Sequence, residues 1–275
     1  MPTSTSNTAP LLSVEGLTIR SNSAVADSRP LVHEVSFSLD RGDRLGLIGE
    51  SGSGKSLTSL AIAGLLPTSL TPLGQITLSG VDVVGADDKT LRPLRGPVVS
   101  IVFQEPLTAL DPLMRIGKQL AEPLRRHRGL RGAALHAAIR AALEEVALPD
   151  IERMLRAYPH EISGGQRQRV AIAIALASQP ALLIADEPTT ALDVTVQAEV
   201  LRLLDRLVTE RGMALLFISH DLAVVSSMVS EVIVLSAGEA VERGHITTVL
   251  TEPQHEYTAR LVASARALDD ALDLT

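Results

Sequence analysis

The 275-residue sequence contains no cysteine and no tryptophan, and only three phenylalanines and two tyrosines. Without cysteine there are no disulfides, no thiolate metal sites and no cysteine-ligated iron–sulfur clusters, a composition that fits a reducing compartment. Aromatics are 2% of residues against 45% hydrophobic overall, so the core must be built from leucine, valine, isoleucine and alanine. Positive charge is short as well. The 25 basic residues face 32 acidic ones, and a formal net charge of −7 argues against a general nucleic-acid binder. No run approaches the ~18 apolar residues a membrane span needs. Residues 1–10 have neither the basic n-region nor the apolar h-region of a signal peptide, so the expectation is a soluble or peripheral protein. The length suffices for a sizeable core, as one large domain or two smaller lobes.

What is present is a phosphate-binding pattern. Gly49-Glu50-Ser51-Gly52-Ser53-Gly54-Lys55-Ser56 fits G-x-x-x-x-G-K-[ST] and follows the apolar run Leu45-Gly46-Leu47-Ile48. The glycines permit a tight loop whose backbone N–H groups point at phosphate oxygens. Lys55 would reach the β- and γ-phosphates, and the Ser56 hydroxyl would hold Mg²⁺. Leu57 to Leu66 reads as a helix, whose N-terminal dipole adds to the anion site. A glycine-rich turn with a solvated lysine is the plain alternative. At average glycine usage a chance match is roughly a one-in-a-hundred event, and strand before with helix after lowers it further.

In chain order, residues 1–10 are polar and expected to be disordered. Leu12–Arg20, Leu31–Asp40 and Gln75–Val83 alternate as strands and predict an antiparallel β subdomain around a nucleotide core. Val98–Val102, Ala181–Ala185 and Ala214–Ile218 are continuous apolar runs like Leu45–Ile48, as for parallel strands buried on both faces. These three end in Gln104, Asp186-Glu187 and Ser219-His220. Ligands in open α/β sheets bind beyond the carboxyl ends of the strands, so four strands deliver polar groups to one edge beside the phosphate loop. Between Glu105 and Pro159 the pattern is helical, and the cluster Arg125, Arg126, His127, Arg128, Arg131 reads as a solvated helix end. Helices are predicted over Gly164–Ser178, buried nearly all round, and Val194–Arg211, stopping at Gly212. The segment after Gly244 reads as helical and loosely attached.

Asp186 stands where a Mg²⁺-orienting carboxylate belongs, and Glu187 could polarise a water for in-line attack on a γ-phosphate. A pair of surface acids at a strand end is the alternative, but Pro188 points to a fixed turn. Ser163 opens a helix as an N-cap, and two glycines behind it suggest close backbone approach to a ligand. His220 alone would more often be structural; at the end of a core strand it is a candidate functional group.

Together these residues resemble the ATP-binding cassette (ABC) family from about Leu11 to Leu261. Gly49–Ser56 is similar to the Walker A loop and Phe103-Gln104-Glu105 to the Q-loop. Ile162-Ser163-Gly164-Gly165-Gln166 is similar to the signature, with Ile in place of the usual Leu. Leu182–Glu187 matches Walker B with its catalytic glutamate, Ala191-Leu192-Asp193 the D-loop and Ser219-His220-Asp221 the H-loop. The resemblance implies catalytic roles for Glu187, His220 and Gln104. It implies Mg²⁺ contacts from Ser56, Gln104 and Asp186, and nucleotide contacts from Gly49 to Ser56, Ser163, Gly164, Gly165, Gln166 and Asp193. It further implies an α/β P-loop NTPase fold with a RecA-like core, an antiparallel β subdomain (about 11–44 and 74–84) and an inserted helical subdomain (about 105–165). The ABC ATPase domain would span about 11–250 and a C-terminal tail 251–275.

The wording from Phe103 to Pro112 is similar to that of oligopeptide, dipeptide and nickel importers. So are Tyr158-Pro159-His160-Glu161, Leu192–Ala198 and His255-Glu256-Tyr257-Thr258. Many peptide-import members carry a C-terminal cysteine cluster holding iron–sulfur; this sequence has no cysteine, which leaves peptide or nickel-like cargo open. Implied partners are a second, different cassette packed head to tail, two transmembrane permease subunits, and indirectly an extracytoplasmic substrate-binding protein, without nucleic acid. The implied location is the cytoplasmic face of the membrane. An ABC ATPase of repair or translation type is the other enzymatic reading, although Lys55 and Ser163 lie only 163 − 55 = 108 positions apart, too few for a long coiled-coil insertion. A nucleotide sensor without turnover is the third, against which Glu187 and His220 count. The family's adenine-stacking aromatic, placed just after the first strand, corresponds here to Ser21, with Arg20 beside it as a planar substitute.

Overall fold

The computed structural model describes residues 9–22, 29–105, 109–190 and 192–272. The disorder expected of residues 1–10 therefore lies almost wholly outside the described residues, as do Pro106–Thr108 of the Q-loop stretch and Ala191 of the D-loop.

Alternation of apolar and polar residues produces the antiparallel strands β1 (Leu12–Ser21), β2 (Val32–Leu39), β4 (Leu70–Leu78) and β5 (Val81–Asp82). The continuous apolar runs become the parallel strands β3 (Arg44–Ile48), β6 (Val99–Val102), β7 (Leu182–Asp186) and β8 (Ala214–Ser219). A further parallel strand, β9 (Glu231–Ser236), lies on the other side of β3, and β10 (Glu239–His245) runs antiparallel to it. Ten strands among the described residues form one sheet in the order β5-β4-β1-β2-β10-β9-β3-β8-β7-β6. The two halves join where Glu239 of β10 pairs with His33 of β2.

Gln75–Val83 is not one strand. Ser79 and Gly80 both take positive φ, 50° and 80°, and turn the chain between β4 and β5. Two successive positive-φ residues match the right-handed twist of a tight hairpin, so the alternation carries across the turn without a break in periodicity.

Buried on both faces, the parallel strands split their side chains by the period of two. Leu183, Ala185, Leu215 and Phe217 face the helices, whereas Leu182, Ile184, Leu216 and Ile218 face the core shared with the antiparallel strands. The helices are α1 (Lys55–Ile62), α2 (Asp88–Leu91), α3 (Ile116–Arg128), α4 (Gly132–Glu145), α5 (Ile151–Arg156), α6 (Gly164–Leu176), α7 (Val194–Arg211), α8 (Leu222–Met228), α9 (Ile246–Thr251) and α10 (Glu256–Leu272). Helices α3 to α5 pack on one another and α3 and α4 on α6, the inserted helical region read from the sequence. Arg125, Arg126 and Arg128 are exposed in the last turn of α3, where the helix dipole favours cations.

The segment after Gly244 departs from the loose attachment expected of it. Tyr257, Thr258 and Val262 are buried, and the Arg266 guanidinium donates to the Leu250 carbonyl at 2.7 Å. The apolar residues of α10, from Tyr257 through Leu261, Val262 and Ala265, follow an amphipathic spacing, which by itself does not tell a docked helix from a free one.

Arg211, at the end of α7, ties the helical region to the core. Its Nε and Nη2 donate to Glu145 Oε1 of α4 at 3.0 and 2.6 Å, and its Nη1 to the Leu176 carbonyl of α6 at 2.9 Å. Glu145→Ala should lower unfolding stability by about 1–2 kcal/mol, a charged hydrogen-bonded pair discounted for partial exposure. A shift in the urea midpoint checks it, and an unchanged midpoint would show the pair to be neutral.

Candidate functional site

The site begins where β3 gives way to the Gly49–Ser56 loop and α1. Gly49 has φ +149°, and a Cβ there would sit 2.1 Å from the Leu235 carbonyl oxygen of β9, so only glycine lets the loop leave the sheet at this point. Lys55 is buried and its Nζ donates to the carbonyls of Gly49 and Glu50 at 2.7 and 2.9 Å, which curls the loop around the ammonium. Burial lowers the Lys55 pKa, against the opposing pull of Glu187, Asp186 and Glu50.

Asp186 ends β7 directly beneath. The Ser56 hydroxyl donates to its Oδ1 at 3.1 Å and the Ser59 hydroxyl to its Oδ2 at 3.4 Å. Burial raises the Asp186 pKa, the Ser56 hydrogen bond offsets part of this, and the Glu187 charge adds to the rise. Among the described residues no group of three or more His, Cys, Asp and Glu could cage a metal. One carboxylate beside a hydroxyl, with the Gln104 amide on the same cleft, instead suits a hard dication that completes its shell with water and phosphate oxygens.

Glu187 takes φ +48°, a left-handed conformation that costs a non-glycine residue about 1–2 kcal/mol. The turn it makes aims the carboxylate into a cleft of about 520 Å³ above the phosphate loop. Thr190 Oγ1 donates to Glu187 Oε2 at 3.0 Å, and His220 Nδ1, at the end of β8, lies 3.2 Å from Oε1. Gln104, Glu187 and His220 thus line the same cleft as Glu50 to Ser56, and Asp186 lies under its floor. The convergence of β3, β6, β7 and β8 on one edge holds.

Ser163, Gly164, Gly165, Gln166 and Asp193 do not line that cleft in this chain. Ser163 and Gln166 close a reciprocal cap on α6: the Gln166 N–H donates to Ser163 Oγ at 3.3 Å, and the Ser163 N–H to Gln166 Oε1 at 3.0 Å. Gly165 has an intramolecular reason to be glycine, since a Cβ would meet Val196 Cγ1 at 2.5 Å. Asp193 caps α7 by accepting the Val196 N–H at 3.0 Å. Ser163, Asp193 and the neighbouring Val194, 83% exposed, are open to solvent. Arg20 and Ser21 end β1 opposite Thr71 and Leu70 and are absent from the cleft lining.

Thr190, Ser59, Tyr257 and Leu261 are among the residues at the site that the sequence did not announce. Thr190 follows Glu187 by three positions within one turn, and Ser59 follows Ser56 by one helical turn, spacings that local geometry makes readable. Tyr257 and Leu261 come from α10, which is distant in sequence, and no local signal announces them.

Comparison with known proteins bears on the whole arrangement. Residues 32–190 match the family described as ABC transporter. The peptidoglycan transport ATP-binding protein YejF of Agrobacterium fabrum is 47% identical over 260 residues, covering 94% of this chain and 47% of that protein. The chain thus spans about half the length of that relative. The probable D,D-dipeptide transport ATP-binding protein DdpD of Escherichia coli is 46% identical over 260 residues, covering 94% of this chain and 79% of that protein. Among solved structures, the dimeric post-hydrolysis state of the ATP-binding cassette MJ0796 bound to ADP and Pi superposes with a TM-score of 0.75 at 26% identity, over 86% of this chain and 98% of that one.

The raised Asp186 pKa gives a signed prediction. Folding favours the protonated form, so the charged carboxylate costs stability at neutral pH; the cost shrinks as pH falls through the raised folded pKa and is gone below the unfolded one. Asp186→Asn should therefore raise the melting temperature of the nucleotide-free protein at pH 7 and remove the added stabilisation that Mg²⁺ gives in the presence of ATP. Thermal melts with and without Mg²⁺ check both halves; a lowered nucleotide-free melting temperature contradicts the burial argument.

Proposed function

The chain belongs to the ABC transporter family, and on that premise we propose that it is the ATP-hydrolysing subunit of an importer that takes up peptides or nickel-like cargo through a membrane permease. The observation that carries this reading is the single cleft in which the Gly49–Ser56 loop, Gln104, Glu187 and His220 meet. A sensor without turnover has no use for a glutamate held between Thr190 and His220 at 3.0 and 3.2 Å.

In the proposed mechanism the loop N–H groups and α1 bind the phosphates, and Lys55, cradled by the Gly49 and Glu50 carbonyls, extends to the β- and γ-phosphates. Ser56, Asp186 and Gln104 would hold Mg²⁺, which would supply positive charge to offset the negative charge developing on the transferring phosphoryl group. Glu187 accepts the proton of the attacking water; Thr190 fixes its carboxylate, and His220 holds the other oxygen. Ser163, Gly165 and the Asp193 segment act on the nucleotide of a second cassette, packed head to tail and of different sequence. Their open surface on this chain and their absence from its own cleft support that assignment. Closure of the pair drives the permease subunits from the cytoplasmic face of the membrane, and hydrolysis reopens it. Among the described residues no helix is long and apolar enough to cross a membrane.

Glu187→Gln tests the assignment. It keeps the shape and loses the basicity, so ATP turnover in the assembled transporter should fall about 10²–10⁴-fold while equilibrium ATP binding is retained. Turnover near that of the wild type would remove Glu187 from the role.

Ser21 in place of an aromatic leaves affinity to the phosphate contacts. Base stacking contributes about 1–3 kcal/mol in nucleic-acid complexes. GTP should therefore compete well with ATP in the wild type, and Ser21→Tyr should tighten ATP binding. A strong preference for ATP with no gain from Ser21→Tyr would show that another group holds the base.

A further inference from the structure

The His255-Glu256-Tyr257-Thr258 stretch has no part in the mechanism above, yet the structure places it against the phosphate loop. Glu242 of β10 accepts the N–H groups of Gln254 and His255 at 2.9 and 3.0 Å and so anchors the start of α10. One residue later Tyr257, 8% exposed, reaches from α10 to the loop, and its hydroxyl accepts the Glu50 N–H at 2.8 Å. Leu261, one turn further along the same helical face, lines the cleft itself.

The contact falls on a particular peptide unit. The Glu50 N–H and the Gly49 C=O belong to one planar amide, so they point in opposite directions and turn together. Its carbonyl accepts from Lys55 Nζ at 2.7 Å while its N–H donates to Tyr257 at 2.8 Å. Rotation of this plane breaks both bonds at once, and hydrogen bonds in series through one amide strengthen each other. Tyr257 thereby fixes the orientation of the carbonyl against which Lys55 rests before it engages phosphate. Since α10 also packs on α8, the helix that follows His220, it touches the site from two sides.

We propose that Tyr257 is a positioning residue for ATP binding, through which α10 holds the phosphate loop in its binding conformation. The inference rests on the reading of the loop as an ATP site. Linkage makes it reciprocal: if α10 favours the loop conformation that binds ATP, bound ATP must stabilise α10 by the same factor.

Tyr257→Phe keeps the ring and its packing and removes the acceptor. Titrated with MgATP, the full-length variant should bind about 3- to 10-fold more weakly, the worth of one hydrogen bond, with a nucleotide-free melting temperature near that of the wild type. In hydrogen exchange, MgATP should slow the amides of α10 in the wild type and leave them unchanged in Tyr257→Phe. Equal affinity of the two proteins, with α10 responding alike, overturns the proposal. Should the variant fail to fold, the wild type alone decides, because no MgATP effect on α10 exchange also overturns it. Absence of MgATP binding by the wild type would strike the nucleotide reading itself, whereas normal binding by both proteins strikes only the role of Tyr257.

Discussion

The carboxylate of Asp186 is the constraint on which the rest depends. It is 6% exposed, at the end of a strand buried on both faces, and its neighbours are hydroxyls rather than a cation in salt-bridge contact. Such a charge is costly in the nucleotide-free protein. The parallel sheet makes the cost bearable by fixing Ser56 and Ser59 of α1 against it, and α1 is fixed in turn by the loop that Lys55 curls around itself. On the proposed reading, this buried charge, with hydroxyls as its hydrogen-bond partners, is the one a dication and phosphate would meet. Stability is given up where function is gained.

A second strain sits one residue on. Glu187 holds a left-handed backbone immediately before Pro188, a residue that restricts its predecessor. The turn it pays for points the carboxylate into the cleft, with Thr190 and His220 locking it from either side. Asp186 and Glu187 are adjacent in sequence but differ in environment, one under the loop and one above it. This separation suits one to metal and the other to water.

On the proposed reading, the cleft in one chain is half of a site. Ser163, Gly165 and Asp193 serve helix caps and helix packing within the chain, and Ser163 and Asp193 are exposed. A local structural duty and a contact across an interface are compatible, because a capped helix N-terminus keeps its remaining N–H groups and its dipole available to an anion. The same economy recurs at the C-terminal side, where α10 completes the core with Val262 and meets the phosphate loop with Tyr257.

By itself the sequence determined the phosphate loop, the parallel core strands, the carboxylates at their ends, the antiparallel strands and the helical insertion. Each of these is written in neighbouring residues: a period of two, an unbroken apolar run, or glycines at fixed spacing before a lysine. It left the Ser79-Gly80 hairpin hidden, because alternation on either side of a two-residue turn reads as one strand. It left β9 and β10 unread, because their pairing with β3 and β2 is chosen among distant segments. Only the tertiary structure decided that Thr190 and His220 share the Glu187 carboxylate, that Ser163 to Gln166 are absent from the cleft lining, and that α10 is seated on the loop. The contact of Tyr257 with Glu50 spans 207 positions, and a hydrogen bond over that separation leaves no periodic trace in either segment.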